Sequence, residues 1–186
     1  MSGRKQQILQ AAIDIIVDQG YASLSMRALA RASGMKLGAL QYHFRTWEEM
    51  LRGLVAYIAE IYQCKFESMT SDSPLTISDV LEFASSEPAG GELRSDKLWP
   101  QLWAMGQVHP LVAELVDDIY GKYCLILVDL LKQAGSKSPR AEAIALMSFV
   151  EGSTIFIAAG RPWETDESDV RRVVNDLIKQ KYGSGA

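Results

Sequence analysis

Between Ser25 and Phe44 the chain reads SMRALARASGMKLGALQYHF, a stretch compatible with two short helices hinged at a glycine. Ser25 is a good N-cap, because its hydroxyl can accept a bond from a free amide in the first helical turn. Leu29, Ala30 and Ser33 recur at helical spacing and are compact enough to lie against a second helix. Gly34 falls where the first helix has to stop, in a position that favours left-handed backbone and so no β-carbon. Leu40 and Phe44, four residues apart, form the inner face of the next helix. Its opposite face carries Lys36, Leu37, Ala39, Gln41, Tyr42 and His43.

A short helix with a buried apolar edge and an outer edge of Lys, Gln, Tyr and His suits a DNA major groove. At these residues the sequence resembles the TetR family of transcriptional regulators. The matching positions are the cap Ser25, Leu29-Ala30, Ser33-Gly34-Met35-Lys36, Gly38, Leu40-Gln41, His43-Phe44 and Trp47-Glu48 followed by Met50 and Leu51. The resemblance is close over about the first fifty residues and lies in length and helical character beyond them. Gln41 stands where the family usually has Tyr, a common phosphate contact that Tyr42 is placed to supply. Lys36 replaces a small Ser cap, giving a weaker cap and an added positive charge. Trp47 replaces a common Lys, so the resemblance does not carry that Lys's phosphate contact over to this chain.

The net charge of -4 looks wrong for a partner of DNA, but it is unevenly distributed. Residues 1–45 hold Arg4, Lys5, Arg27, Arg31, Lys36 and Arg45 against Asp14 and Asp18, a charge of +4, leaving -8 for the remainder. A basic head on an acidic body fits a chain that meets phosphate at one end. The 186 residues suffice for a sizeable core, and no apolar run is long enough for a transmembrane helix. The N-terminus lacks a signal peptide's continuous apolar region. Cys64 and Cys124 are isolated in helical patterns and read as reduced thiols in a cytoplasm.

No strand pattern or internal repeat occurs, so the expected fold is all-α: a three-helix head over residues 1–46 and a larger helical body over 47–182. The first helix spans about Arg4 to Gln19, with Ile8, Ala12, Ile15 and Ile16 inward. Arg4 and Lys5 are placed either to reach the DNA backbone or to remain in solvent. Thr46-Trp-Glu-Glu49 is a capping box opening a long helix to about Met69. Breaks fall at Ser71 to Leu75 and at Glu87 to Glu92, flanking a short helix from Thr76 to Ser85. Leu93 to Gln107 reads as a helix, with its regular part expected from Trp99 because of Pro100. Further helices run from Leu111 to Gln133, from Pro139 to Ala159, and from a Thr165 or Asp166 cap to Lys181; the tail KYGSGA is expected to lack order.

Nothing points to catalysis, a cofactor or a metal. His43 and His109 have no Cys, Asp or Glu at ligand spacing, and Glu48-Glu49 and Asp117-Asp118 are adjacent pairs that diverge on a helix. The resemblance implies instead a homodimeric repressor that binds an inverted-repeat DNA operator and is released by a small apolar effector. Leu37, Ala39 and Gln41 would face base edges, Lys36, Tyr42, His43 and the cap Ser25 would mainly hold phosphates, and Arg27 and Gly38 complete the expected DNA-binding set. Phe83, Trp99, Trp103, Tyr120, Tyr123 and Phe149 either close an ordinary core or wall an effector cavity, and the resemblance favours the cavity. Glu151, in the apolar run SFVEGSTIFIAA, would receive a cationic or hydrogen-bonding group, or else lies at a rim. Small residues Ala141, Ala145, Ser148 and Gly152, with Ile155, Val170, Val174 and Leu177, are the expected dimer seam. A helical enzyme or carrier with an incidental N-terminal motif is the competing reading. An activator would share every one of these features.

Overall fold

The computed structural model describes residues 3–71, 75–85, 93, 95–157 and 161–183. Among them the chain is helical with no strand. The order is α1 (Gly3–Gln19), α2 (Met26–Ala32), α3 (Leu37–His43), α4 (Trp47–Ser71), α5 (Ile77–Ser85), α6 (Ser95–Gly106), α7 (Pro110–Gln133), α8 (Pro139–Ile157) and α9 (Glu167–Tyr182). The expected breaks at 72–74 and 87–92, the end of the Pro139 helix at 158–160 and the last tail residues 184–186 lie outside the described residues.

The helices start and stop for local reasons. Ser25 Oγ accepts the Ala28 amide at 3.2 Å and caps α2. Gly34, at φ 64°, ends it: the Met35 amide returns to the Ala30 carbonyl at 2.8 Å and the Gly34 amide to Arg31 at 3.1 Å, a Schellman closure that a β-carbon would strain. Thr46 Oγ1 accepts the Glu49 amide at 3.1 Å, while the Glu49 carboxylate reaches back to the Arg45 amide at 2.9 Å, completing the capping box of α4. Thr76 and Asp79 do the same for α5 at 3.1 and 2.9 Å.

Three expectations need correction. Helix α6 begins at Ser95 and contains Pro100, rather than starting at Trp99. The lost amide bond is offset by the burial of Leu98, Trp99, Leu102 and Met105. Neither Thr165 nor Asp166 caps α9 by its side chain; a 3-10 turn, Glu164–Asp166, runs straight into it. Lys181 and Tyr182 belong to α9, and Lys181 pairs with Glu142 at 2.9 Å.

The chain forms two compact units, residues 1–65 with 89–117, and 66–88 with 118–186. In the first, α1 packs on α2 and α6, and α2 on α3. Ile8, Leu9, Ala12, Ile13, Ile15 and Ile16 of α1, Leu29 and Ala30 of α2, Leu40 and Phe44 build its core, with Met50, Leu51, Leu54 and Ile58 of α4. Compactness thus groups α6 with the head, where the sequence had suggested a division at residue 46. In the second unit α5 packs on α8 and α9. Its core includes Ile77, Val80, Leu127, Leu131, Ala143, Met147, Val150 and Ile178.

Phe44 is held by a close approach. A β-carbon on Gly53 would lie 2.8 Å from Phe44 Cε1 and 3.7 Å from Leu9 Cδ2. Because that ring is buried, Gly53→Val is expected to lower stability by roughly 1–3 kcal/mol through overpacking, despite the better helix propensity of valine. Thermal unfolding followed by far-UV circular dichroism checks this, and an unchanged midpoint would mean that the ring yields freely.

Candidate nucleic-acid interface and body residues

Helix α3 divides into two faces as the sequence required. Leu40 and the following Phe44 are buried, at 0% and 3% exposure, and anchor it to the head. Lys36, Gly38, Ala39, Gln41 and Tyr42 are exposed, and Leu37 and His43 half-buried. Tyr42 is 87% exposed, and its ring meets His43 edge-on at 5.6 Å. A large aromatic held this far into solvent on a seven-residue helix contributes nothing to the core. Lys36 occupies the N-cap of α3 without a side-chain cap bond, so its ammonium is left to the surface. Ser25 and Arg27 are exposed at the start of α2. Ser25 Oγ accepts the cap bond, which leaves its hydroxyl proton able to donate elsewhere.

Arg4 and Lys5 have internal partners that the sequence did not suggest. One Arg4 nitrogen donates to the Ser33 carbonyl at the end of α2, 3.3 Å away, and Lys5 lies 5.2 Å above the Phe44 ring. Both brace α1 against the helix-turn-helix.

The expected effector residues are distributed over the two units. In the first, Trp99 is buried and its indole N–H donates to the Tyr62 hydroxyl at 2.7 Å, with the rings edge-on at 5.5 Å. Trp103, one turn on, is half-buried. In the second, Tyr123 is buried and packs tilted against Phe66 at 4.5 Å, and Phe83 is half-buried. Tyr120 hydrogen-bonds Glu151. Burial pushes the Glu151 carboxyl up to about 7 from 4.5, with the Tyr120 bond opposing the rise. Phe149 departs from the expected set. It is 38% exposed and shares the outer face of α8 with Ala145 and Ser148, because four- and three-residue steps keep those positions together.

That outer face is broad. Ala141, Ala145 and Ser148 are exposed and Gly152 half-buried, while Ile144, Ile155 and Phe156 are each more than half exposed. On α9, Val173 and Leu177 are exposed, Val170 is half-buried, and Val174 is buried at 8%. Val174, in register with the inward Ile178, is therefore not on the exposed face as expected, whereas its neighbour Val173 is.

Sequence reasoning passed over Tyr21 and Gln101 and read His109 only as a junction. The three residues meet in the first unit, where the Tyr21 amide donates to Gln101 Oε1 at 2.9 Å and the Tyr21 hydroxyl bonds His109 Nε2. An aromatic placed just after a helix-ending glycine was the available signal; its partners are about eighty residues away in sequence. Among the described residues no group of three or more His, Cys, Asp or Glu could hold a metal ion, and no helix is long and apolar enough to cross a membrane.

A basic head with a braced, capped and outwardly polar second helix defines a helix-turn-helix DNA-binding protein. Residues 8–54 match the family model described as bacterial regulatory proteins, tetR family. Over that segment the chain is similar to the DNA-binding region of TetR-family regulators. It is 26% identical over 184 residues to the HTH-type transcriptional regulator PksA of Bacillus subtilis, covering 95% of this chain and 88% of that one. It is 23% identical over 177 residues to the regulator BetI of Pseudomonas aeruginosa, covering 89% and 87%. Among solved structures, a transcriptional regulator from Saccharomonospora viridis in complex with choline superposes with a TM-score of 0.78 at 19% identity, over 96% of this chain and 97% of that one. A TetR regulator from Legionella pneumophila superposes with a TM-score of 0.76 at 20% identity, over 96% and 99%.

Proposed function

We propose that the protein is a ligand-responsive repressor that binds an inverted-repeat operator as a homodimer and is released by a small effector. The observation that carries this reading is the outer face of α3, where Lys36, Ala39, Gln41 and Tyr42 are exposed while Leu40 and Phe44 hold the helix in place. Gln41 and its neighbours Leu37 and Ala39 read base edges; Ser25, Arg27, Lys36, Tyr42 and His43 hold phosphates. The exposed apolar faces of α8 and α9 support pairing of two copies, and two-fold symmetry then calls for two half-sites about one helical turn apart or somewhat more.

The effector is largely apolar with a cationic or hydrogen-bonding group directed to Glu151. The Glu151–Tyr120 pair in an apolar helix supports this, as does the choline held by the Saccharomonospora viridis regulator. Effector and operator oppose each other by the same factor in both directions, because the coupling is reciprocal.

Selection of bound duplexes from genomic DNA tests the reading. The recovered site is expected to be an inverted repeat whose affinity falls steeply with salt. Gln41→Ala is expected to relax preference at one base position, at a cost of ~1–3 kcal/mol on the preferred sequence. Lys36→Ala should weaken all sequences alike and lower the salt slope by about one. Equal loss on every sequence for Gln41→Ala would remove it as a base reader.

A further inference from the structure

We infer that Tyr21, held by Gln101 and His109, is the joint through which the corner between α6 and α7 sets the orientation of the helix-turn-helix; this rests on the regulator reading above. Tyr21 opens the 3-10 turn Tyr21–Ser23 that joins α1 to α2, only four residues before the Ser25 cap. It is gripped at both ends. Its amide donates to Gln101 Oε1 of α6 at 2.9 Å. Its hydroxyl bonds His109 Nε2, and the two rings stand edge-on with centroids 5.5 Å apart at 88°. Burial pushes the phenol up from its ordinary value, so the hydroxyl stays protonated and able to keep this bond.

The residues that grip Tyr21 are themselves tightly placed. The His109 amide donates to the Met105 carbonyl at 2.9 Å, closing α6. Its carbonyl accepts from Val112 at 2.9 Å and Ala113 at 3.2 Å, opening α7. Gly106 lies close to the first turn of α7: a β-carbon there would stand 3.4 Å from Ala113 Cα. A shift of α6 or of the start of α7 therefore acts on the entry to α2 through two hydrogen bonds and a ring contact, with no slack residue between them. Tyr120, the partner of Glu151, lies on this same α7. Tyr21 is accordingly a positioning residue that touches no base. It conveys to the DNA-reading helices where the α6–α7 corner stands.

The test uses the full-length protein and inverted-repeat duplexes whose central spacer is varied one base pair at a time. Wild type is expected to favour one spacer. Tyr21→Phe and His109→Ala should bind that best spacer about 5- to 10-fold more weakly, the loss of one hydrogen bond of about 1 kcal/mol, yet change little on the neighbouring spacers, so that the preference flattens. His109→Gln, which retains a hydrogen-bonding side chain, should restore the wild-type profile, and Gln101→Ala should flatten it as Tyr21→Phe does. A folded Tyr21→Phe with the wild-type profile would overturn the inference. So would an equal loss on all spacers, which reports lost stability rather than lost orientation. Wild-type protein without salt-dependent duplex binding would overturn the regulator reading and this inference with it, whereas a sound wild-type profile with no variant effect overturns the joint alone.

Discussion

If two copies pair through α8 and α9 as proposed, Gly152→Leu is expected to separate them into monomers without harming the monomer. Among the described residues a β-carbon on Gly152 meets nothing within 4 Å, so the first atom of a larger side chain is accommodated in an isolated copy. Leucine also favours helix over glycine by somewhat less than the ~0.8–1 kcal/mol that separates glycine from alanine, which should make the monomer slightly more stable. In a dimer the same atoms enter the seam. Gly152 follows the exposed small residues Ala141, Ala145 and Ser148 along α8, with Phe149 one turn before it and Ile155 and Phe156 one turn after. Overpacking costs ~1–3 kcal/mol per site and two-fold symmetry doubles it, so the dissociation constant is expected to rise by roughly 30-fold to 10⁴-fold. Ile155→Asp should act in the same direction by burying an unpaired charge. Sedimentation equilibrium measures both. If neither variant moves the constant, the copies pair through another surface. Because a monomer presents only one α3, both variants should also lose most of their affinity for a two-half-site operator while still binding a single half-site weakly.

Glu151 should make the folded chain less stable as pH rises. Its carboxyl releases its proton at about 7 when folded and at 4.5 when exposed. Between those values the folded chain holds more protons than the unfolded one, so stability declines from about pH 4.5 through 7 and then levels off. The decline attributable to this group reaches up to roughly 3 kcal/mol. Glu151→Gln keeps the shape and a partner for Tyr120 but cannot ionise. The variant should therefore match wild type near pH 4.5 and exceed it above pH 7. Urea unfolding at fixed protein concentration from pH 5 to 8 reads the difference, in which every other titrating group cancels. Parallel lines for the two proteins would show that the Glu151 carboxylate is solvated and costs nothing. The direction also bears on the effector, since a cation seated beside Glu151 favours its ionised form and should bind more tightly above pH 7 than below.

The head was legible almost residue by residue because its signals are local. A cap, a helix-ending glycine and two apolar residues four apart act within a few residues of one another, and Ser25, Gly34, Leu40 and Phe44 stand where those rules put them. Where a long-range contact competed with a local rule, the local rule yielded. Pro100 should have delayed α6, but the burial of four large side chains carried the helix through it. Phe149 looked like a core aromatic by type, and only its angular position on α8 turned it outward.

Periodicity in the sequence by itself determined an all-helical chain and the two faces of α3, because the same three- and four-residue steps that make a helix also assign its faces. It could not decide between adjacent valines on α9: Val173 and Val174 are chemically alike, and which one faces inward depends on the packing of α9 against α5. Nor could it place Tyr21 against Gln101 and His109. Hydrogen-bond partners about eighty residues apart carry no signature along the chain, and only the folding of α1 onto α6 brings them within reach.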